Sequence, residues 1–587
     1  MKRIHFALLF CLFSIFSFNC QKELSSANLG TGNTENNLPA PVTTTLQGNI
    51  YDENNQPAPG VQIKVGTKTS ITNANGYFRI VDAALDKNAS LVSAEKPGYF
   101  KAYRTFSATS GVNQVVINLL KKSLTGTVDA TAGGDISLSN GSKISLPANG
   151  IIKQSDGLPY TGSVDVYAGY IDPTATNINE IIPGSFMAND KNNNRVSLAS
   201  FGMLAVELQS ASGEKLQIAK DNTAKLTISI PSAIQSSAPS TISLWYIDDN
   251  TGLWKEEGTA TKVGTSYIGE VKHFSFWNAD FSNPSVAVTL KVKNSKGLPL
   301  AYIGVQIKSP NGGHGYGMTD SLGQVSGLVP ASEKLVLEVL DQCGGAVYSQ
   351  NIGPFSQNTN LGSITIGNTS SSIVTVEGKI LDCNNAPIAS GYAVISFNNI
   401  IRYASVNPGG DFSSTFVTCS SLASTCDILG VDSTSQQQGN VVTTTIISPV
   451  TYAGNILACG TSSLEFVDYN IDGTDYNFSL PGDSIIAFTN VAAATLFTTY
   501  IRAGQQSSFI NFDYSHDKTT GAFPLNNLST NAFPNSLLTQ PFNINVTSYP
   551  QNIGEFYAGN FSGKFTDALN PLVVHNITCT FRLRKYY

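Results

Sequence analysis

Hydrophobic and polar residues alternate in short runs along most of this 587-residue chain. Alternation with a period of two residues is typical of strands that bury one face, and no useful stretch shows the period of a helix. Turn formers such as Asn73-Ala-Asn-Gly76 and Pro97-Gly98 separate the runs and supply positive or fixed φ angles. The first five predicted strands are Leu46–Tyr51, Val61–Val65, Tyr77–Val81, Ser90–Lys96 and Gln114–Leu119. The pattern predicts an all-β protein.

The chain is too long for one hydrophobic core, so several domains are expected. Hydrophobic residues make up 41% and aromatic residues 10%, which is enough to bury cores and excludes a disordered chain. Charged residues are only 13%, against a usual ~25%. Since no dense cluster of lysine and arginine is present, we expect no nucleic-acid partner. Beyond residue 20 no apolar run reaches the length of a membrane span.

A strand, a polar turn, a proline, a second strand and an Asn-Gly turn follow one another over residues 45–121. The residues of this pattern are Gly48-Asn-Ile-Tyr-Asp52, Pro59-Gly-Val61, Thr72-Asn-Ala-Asn-Gly-Tyr-Phe78 and Lys96-Pro-Gly-Tyr99. The pattern resembles the carboxypeptidase regulatory-like domain, a small transthyretin-like sandwich, and this implies a non-catalytic accessory module. Weaker copies follow at 286–366 and 373–462. Three copies of one module predict an extended, stalk-like array.

The segment 124–282 separates the first copy from the second. It contains the strand Ser200-Phe-Gly-Met-Leu-Ala-Val-Glu207 and ends on the aromatic sequence Val271-Lys-His-Phe-Ser-Phe-Trp277. These features resemble the β-sandwich shared by ankyrins and netrin receptors. The resemblance is closer to the version in cartilage intermediate layer proteins and their bacterial relatives. It implies a second type of sandwich in the array.

The N-terminus has the layout of an export signal. Lys2 and Arg3 precede an apolar run that ends at Phe18, which is too short for an ordinary spanning helix. Cys20 closes this run and resembles the lipidation site of a bacterial lipoprotein. Asn19 stands where a small residue is usual, as in the looser sites of Bacteroidetes lipoproteins. Acyl chains on Cys20 would anchor the chain stably. The alternative is a plain secretory signal with Cys20 incidental.

The predicted fold is a tandem array of antiparallel β-sandwich domains behind a lipoprotein signal and a flexible tether. Its last segment is expected to close with a hairpin of Glu555–Phe565 and Leu572–Leu583. The predicted segments are the signal peptide (1–19), the lipidated Cys20 with its tether (20–44), the regulatory-like sandwich (45–121), the ankyrin/netrin-receptor-like sandwich (124–282), a divergent regulatory-like sandwich (286–366), a Cys-containing sandwich (373–462) and a C-terminal β-domain (463–587).

Six cysteines follow Cys20, and an exported chain can oxidise them. Six cysteines allow 15 pairings, among which the sequence does not choose. We expect the four of the Cys-containing sandwich to pair among themselves. These four are Cys383, Cys419, Cys426 and Cys459. Their spacing is not that of zinc knuckles, and no histidine lies near them, so no metal site is predicted.

The sequence His273-Phe274-Ser275 is the sharpest candidate for chemistry. It resembles a His-Phe-Ser triplet at which some eukaryotic members of the ankyrin/netrin-receptor family look able to break their chain between Phe and Ser. In such a step the Ser275 hydroxyl attacks the Phe274 carbonyl, His273 acts as base, and water opens the ester. A strained turn would favour the shift. The alternative is that all three are ordinary residues of the last strand, with Phe274 in the core.

Exposed aromatic residues could stack on the apolar face of a sugar ring. Tyr99, Phe100 and Tyr103 follow Pro97-Gly98, so we expect them to be exposed and treat them as a candidate glycan platform. The three tryptophans fit the core of a sandwich better. Each remaining histidine fits a solvated loop or strand, since none has the spacing of a metal or catalytic motif. No cofactor is expected.

These features predict a non-enzymatic cell-envelope lipoprotein that presents β-sandwich modules for binding or adhesion. Gln21-Lys-Glu23 resembles the charged surface-export signals of Bacteroidetes lipoproteins, so we expect an outer-membrane protein exposed at the cell surface. The periplasmic face is the alternative location. Its partners would be the membrane, through the lipid, and a glycan or protein ligand. One alternative function is polysaccharide capture by a carbohydrate-binding lipoprotein. Another is an envelope hydrolase, or a protein that cleaves itself between Phe274 and Ser275.

Overall fold

The structure is a computed structural model of the chain. It describes residues 38–72, 76–310, 312–341, 343–367, 373–397, 400–417, 425–432, 434–435, 437–462, 465–479, 485–493, 495–505, 508–534, 536–538, 542–551, 555–567 and 570–585. About 64% of the chain is strand and 2% is helix, which confirms the all-β prediction. No helix in these ranges is long and apolar enough to cross a membrane.

The strands group into five domains. Strands β1–β7 of the first domain are Pro41–Tyr51, Gln62–Val65, Lys68–Ile71, Tyr77–Asp86, Ser90–Glu95, Ala102–Phe106 and Asn113–Asn118. Strands β8–β19 of the second domain are Leu124–Asp129, Gly134–Ser137, Lys143–Leu146, Ile151–Lys153, Ser163–Ile171, Met187–Asn189, Arg195–Ser210, Lys215–Ile218, Ala224–Ser229, Thr241–Ile247, Trp254–Val263 and Ser266–Val271. The second domain also has the short helix α1, Ile178–Ile181, and a 3₁₀ turn at Ser232–Ser237.

Strand β20, Phe276–Asn294, runs from the second domain into the third. Strands β21–β26 of the third domain are Gly304–Lys308, His314–Met318, Gln324–Pro330, Leu335–Leu340, Ala346–Ile352 and Thr359–Ile366. Strands β27–β35 of the fourth domain are Ile373–Leu381, Gly391–Phe397, Ile400–Ser405, Asp411–Val417, Thr425–Asp432, Gln437–Gln438, Val442–Thr445, Val450–Leu457 and Thr461–Ser462. Strands β36–β45 of the fifth domain are Phe466–Ile471, Thr474–Ser479, Ile485–Ala493, Leu496–Gln505, Ser508–His516, Gly521–Thr530, Ser536–Leu538, Asn543–Ser548, Phe556–Asp567 and Asn570–Arg584.

The first, third and fourth domains repeat one topology. In each domain a central strand (β1, β20 or β27) has an antiparallel neighbour (β4, β23 or β30) on one side. On its other side lies a parallel neighbour (β7, β26 or β34). The facing sheet has the order β3-β2-β5-β6 in the first domain and β22-β21-β24-β25 in the third. The fourth domain begins the same order with β29-β28-β31-β32. The parallel pair in each copy is a feature that the sequence pattern did not reveal.

The same turn follows the central strand in all three copies. A polar residue closes the strand, and its side-chain oxygen accepts hydrogen bonds from the amides two and four residues later. These residues are Asp52, Asn294 and Asp382. Pro57, Pro299 and Pro387 then form isolated bridges with the ends of the central strands. Local turn chemistry therefore positions the second sheet identically in each repeat.

The second domain is built on long strands that bend across two cores. Its three tryptophans, Trp245, Trp254 and Trp277, are fully buried, as the sequence analysis expected. Strand β20 pairs with β14 and β17 in this domain and with β23 and β26 in the next. The predicted boundary at 282–286 thus falls inside one continuous strand. The alternating pattern carries no break there because the strand crosses from one sandwich to the other without a loop.

The first four domains are not an extended stalk, and that prediction is wrong. Asp320 of the third domain accepts hydrogen bonds from Thr109 and Gly111 of the first. Tyr77 of the first domain stacks on Tyr403 of the fourth. Contacts between domains that are not neighbours in sequence join these four into one body, called the N-terminal cluster below. A sequence repeat fixes the fold of each module but not the angle between modules.

The fifth domain has its own core, with Val467, Tyr514, Phe565 and Phe581 at its centre. Its sheet has the order β37-β36-β45-β44-β43-β41-β40-β39-β38. The predicted closing hairpin is present as the antiparallel pair β44 and β45.

Candidate functional sites

The His273-Phe274-Ser275 segment lies in a bend between β19 and β20 rather than within the last strand. Gln217 of β15 holds Phe274 at both ends. The Phe274 amide donates to Gln217 Oε1 at 2.6 Å, and Gln217 Nε2 donates to the Phe274 carbonyl oxygen at 3.2 Å. The Gln217 side-chain amide therefore takes the place of a neighbouring strand. It also places a hydrogen-bond donor on the carbonyl of the Phe274–Ser275 peptide bond.

His273 packs against aromatic rings. Its ring centroid lies 4.7 Å from that of Tyr246 and 5.1 Å from that of Trp277. Its Nε2 is 3.8 Å from Glu257 Oε2. Burial lowers the pKa of His273, while Glu257 acts in the opposite direction. A neutral imidazole is the form that a general base needs.

The Ser275 hydroxyl is not free to attack the Phe274 carbonyl, because its Oγ donates to the Ile247 carbonyl at 3.4 Å. The Ser275 carbonyl accepts from the Val206 amide. None of residues 273–275, all of them described, has a positive φ or a cis peptide bond. The strained turn that would favour the shift is not observed in this segment.

The predicted aromatic platform is wrong for two of its three residues. Phe100 and Tyr103 are only 4% and 3% exposed, because they pack against Phe276 between the first and second domains. The Tyr103 hydroxyl donates to Asp249 Oδ1 at 2.7 Å, and burial together with this bond raises its pKa. The turn at Pro97-Gly98 therefore leads into an interface between domains rather than into solvent.

Tyr99 is half-buried and held in place. Its hydroxyl donates to Glu53 Oε2 at 2.8 Å, and the amine of Lys96 lies 5.8 Å from its ring centroid. Partial burial and the bond to Glu53 raise the pKa of Tyr99 to about 12. Glu53 also pairs with Lys121 at 2.8 Å. One tyrosine in this setting does not form a stacking surface for a sugar.

The structure pairs two of the four cysteines that were expected to pair among themselves and leaves a third one unpaired. Cys383 and Cys459, which are 76 positions apart in sequence, form a disulfide. Cys426, which was expected to pair within the same group, is a free and buried thiol. It lies on β31 among core side chains of the fourth domain, where burial raises its pKa to about 11. Cys343 is disulfide-bonded as well. Cys419 and Cys20 lie outside the described residues.

Two histidines that were expected to be solvated are packed inside the protein. His314 lies on β22, with its ring centroid 4.2 Å from that of Phe186, and its Nε2 is 2.9 Å from Asn179 Oδ1. His516 is 2% exposed. Burial lowers the pKa of each to about 4. Within the described ranges no group of three or more His, Cys, Asp or Glu residues could hold a metal ion.

The contacts that join the first two domains were not predicted. Arg104 Nη1 donates to the Gly184 carbonyl at 3.3 Å, and Thr105 Oγ1 donates to the Gly252 carbonyl at 2.6 Å. Residues 314–317 of a glycine-rich sequence form part of β22. A side chain at Gly315 would meet the Leu328 carbonyl at 2.4 Å, so glycine is needed for close packing. In the sequence, the cluster of glycines near an aromatic residue was the feature that could have indicated this close packing.

Comparison with known proteins relates part of the chain to one family of relatives. No protein-family model matches the chain. Cartilage intermediate layer protein 2 of Mus musculus is 30% identical over 156 residues, which is 25% of this chain and 13% of the relative. The Homo sapiens protein is 28% identical over 124 residues, which is 21% of this chain and 10% of the relative. The predicted resemblance to cartilage intermediate layer proteins is thereby confirmed in part, while the match spans only about a tenth of each relative.

Solved structures with similarity to this chain include two bacterial pilins and a further Bacillus protein. A shaft pilin of Lactobacillus rhamnosus GG is 10% identical, with 30% of this chain and 98% of the pilin covered, at a TM-score of 0.17. The Bacillus anthracis TIE protein is 10% identical, with 84% and 73% covered, at a TM-score of 0.14. The major pilin subunit of Bacillus cereus is 9% identical, with 71% and 100% covered, at 0.12. These scores are too low to relate the functions of the proteins.

Proposed function

We propose that this protein is a non-enzymatic lipoprotein of the cell envelope that presents β-sandwich modules for binding or adhesion. The observation that carries the proposal is the N-terminal cluster, in which three copies of one sandwich and one of another type are joined by contacts between non-neighbouring domains. Such a body holds several module surfaces in fixed relative positions. Fixed surfaces favour binding of an extended partner, because no ordering of the modules is needed when the partner binds.

The anchor is assigned to Cys20 through the apolar leader that precedes it. A fatty-acid analogue with a clickable group, fed to the producing bacterium, tests this assignment. We expect labelled wild-type protein in the membrane fraction and no label on Cys20→Ala. Cys11→Ala is the matched control, because Cys11 lies in the same leader and should not affect labelling. Label that persists on Cys20→Ala would contradict the anchor.

Exposure at the cell surface is tested by treating intact cells with protease and blotting for the fifth domain. A periplasmic protein that stays intact serves as the control for membrane integrity. Loss of the fifth-domain signal is the expected result. Full protection would contradict surface display and leave a periplasmic role in its place.

Self-cleavage is a second candidate, favoured by the Gln217 amide on the Phe274 carbonyl. A donor on a carbonyl oxygen stabilises the oxyanion that forms when a hydroxyl attacks it. The Ser275 contact with the Ile247 carbonyl and the unstrained backbone act against this reaction. Denaturing gels of wild type and Ser275→Ala distinguish the two cases. Fragments in the wild type that vanish in Ser275→Ala would establish cleavage, whereas a single full-length band in both would exclude it.

A further inference from the structure

A cavity of about 40 Å³ lies where the first three domains meet. Arg104 and Gln114 of the first domain, Ser197 and Phe186 of the second, and Leu328 of the third contribute to its walls. A volume of this size accommodates about three water-sized groups, since one water needs roughly 10–15 Å³ on this measure. The cavity exists only in the assembled cluster, because no single domain supplies all its walls.

Arg104 lies on β6 and is 6% exposed. Only its Nη1 is used, in the bond to the Gly184 carbonyl. Its Nε and Nη2 have no hydrogen-bond partner among the described residues. These two atoms form one edge of the guanidinium, and their parallel N–H groups match the two oxygens of a carboxylate. A buried edge of this kind without a partner is costly, so it indicates a ligand.

No carboxylate among the described residues bonds to the charged Arg104 side chain. Burial lowers its pKa to about 10, which leaves the guanidinium protonated at neutral pH. Glu180 is the carboxylate that acts on it electrostatically, and burial raises the pKa of Glu180. No hydrogen bond joins these two residues in the described structure. The cavity therefore has a net preference for an anion.

Two further polar atoms on the cavity wall are unpartnered. Gln114 Nε2 donates to Asn49 Oδ1 at 3.0 Å, while Gln114 Oε1 has no hydrogen-bond partner in the described part of the chain. Ser197 Oγ is buried and likewise has none within the described residues. Gln114 Oε1 requires a donor, and the Ser197 hydroxyl can donate to an anion or accept from a hydroxyl. Phe186 and Leu328 supply apolar contact for a short carbon chain.

We propose that this cavity is a binding site for a short hydroxy acid, with its carboxylate held side-on by Nε and Nη2 of Arg104 and its hydroxyl placed between Gln114 and Ser197. The site goes beyond the proposed display function, since it lies inside the cluster and does not depend on the anchor. A ligand there contacts three domains at once. Its binding stabilises their assembly by RT ln(1 + [L]/Kd), so the stabilisation rises with ligand concentration.

The probes are glycolate and lactate, added to the full chain and followed by saturation-transfer NMR and thermal unfolding. Sulfate at equal ionic strength and 1-propanol are the comparison compounds, which lack the planar carboxylate or the charge. We expect saturable binding of the hydroxy acids with a rise in the unfolding temperature, and neither with the comparison compounds. No saturable binding, or equal binding of sulfate or propanol, would overturn the proposal.

Variants test the assigned contacts. Arg104→Lys keeps the charge and loses the paired edge, so binding should weaken at least tenfold. Ser197→Ala removes a hydroxyl that has no partner, so the ligand-free unfolding temperature should stay unchanged while binding weakens severalfold. Arg502→Lys is the matched control, because Arg502 lies on β39 of the fifth domain, outside the cluster and away from the cavity. Undiminished affinity in Ser197→Ala and Arg104→Lys would overturn the site, and Ser197→Ala decides it if Arg104→Lys does not fold.

Discussion

Tyr77 of the first domain stacks on Tyr403 of the fourth, with ring centroids 4.3 Å apart and an angle of 12° between the ring planes. The Tyr77 hydroxyl donates to Gln47 Oε1, which also accepts from Arg79. Arg402, beside Tyr403 in sequence, donates to the Tyr302 carbonyl of the third domain at 3.3 Å. Three domains therefore meet at one aromatic junction, and this junction closes the N-terminal cluster.

Separating this stack should open the cluster. A double-mutant cycle of Tyr77→Ala and Tyr403→Ala is expected to give a coupling free energy of about 1 kcal/mol in chemical denaturation, the usual size for a stacked aromatic pair. X-ray scattering of either variant should show a larger radius of gyration. Tyr476→Ala is the control, because it breaks a similar stack with Tyr469 inside the fifth domain and should not change the scattering. An unchanged radius in Tyr403→Ala would mean that the stack does not hold the domains together.

Asp320→Asn should loosen the contact between the first and third domains. Asp320 Oδ1 accepts from the amides of its own turn, while Oδ2 accepts from Thr109 Oγ1 at 2.8 Å and the Gly111 amide at 2.9 Å. An asparagine keeps the turn but sets its NH₂ group against the Gly111 N–H, at a cost of about 1–3 kcal/mol.

Faster hydrogen exchange of the Gly111 amide and a lower denaturation midpoint are the measurements for this variant. Asp382→Asn is the matched substitution in an equivalent type of turn that serves only its own domain. It should change the stability by less than about 0.5 kcal/mol. Equal effects of the two substitutions would contradict an interdomain role for Asp320.

His516 should make the stability of the fifth domain depend on pH. Its Nδ1 accepts from the Lys518 amide at 3.0 Å, so Nε2 carries the proton and lies 2.7 Å from Thr499 Oγ1. Protonation would set an N–H against the Lys518 N–H. Burial lowers the pKa of the folded state to about 4 from an ordinary 6.5. The unfolded chain therefore binds the extra proton first, and stability falls as the pH drops from about 6.5 toward 4.

Calorimetry of wild type and His516→Gln at pH 7, 6 and 5 measures this effect. The wild type should be more stable at pH 7, and the difference should shrink by at most about 1.4 kcal/mol per pH unit below 6.5. His314 contributes the same trend to both proteins and so cancels in the difference. A difference that stays constant with pH would contradict the buried neutral form of His516.

The Cys383–Cys459 disulfide should stabilise the fourth domain. The two cysteines are 76 positions apart in sequence, for which the chain-entropy model gives about 4.5 kcal/mol. Replacing both with serine should lower the unfolding temperature. A reducing agent should then lower the unfolding temperature of this variant by less than that of the wild type, and the remaining decrease comes from the disulfide of Cys343. Cys426→Ala is the control, because its thiol is free and the response to reductant should be kept. A double-serine variant with the full response would show that this bond does not form.

The turns are a feature of the fold that could be predicted from the sequence. The Asp52 turn and the later turn at Asn407-Pro-Gly-Gly were identifiable because asparagine, aspartate and glycine act on their own backbone within four residues. The same locality explains why the closing hairpin β44–β45 was predicted. The parallel pairs such as β1–β7 were not predicted, since they join segments that are far apart in the chain.

The solvent exposure of several side chains was predicted wrongly from the sequence. Phe100, Tyr103 and His314 lie in segments whose local patterns are typical of surface turns and loops, yet each is covered by a neighbouring domain. The pattern of a strand shows which residues share a face, and it does not show whether that face meets water or another domain. For the same reason, the sequence did not indicate that Arg104 lines a cavity between domains.

The sequence by itself determined that the chain is β-rich, that one sandwich recurs three times, and that turns of fixed chemistry separate its strands. These properties depend on interactions between residues close in the chain. The tertiary structure alone decided that the first four domains interlock, that Cys426 stays unpaired, and that Arg104, Gln114 and Ser197 line a common cavity. Those properties depend on the relative orientation of whole domains, which is set by packing between surfaces hundreds of residues apart.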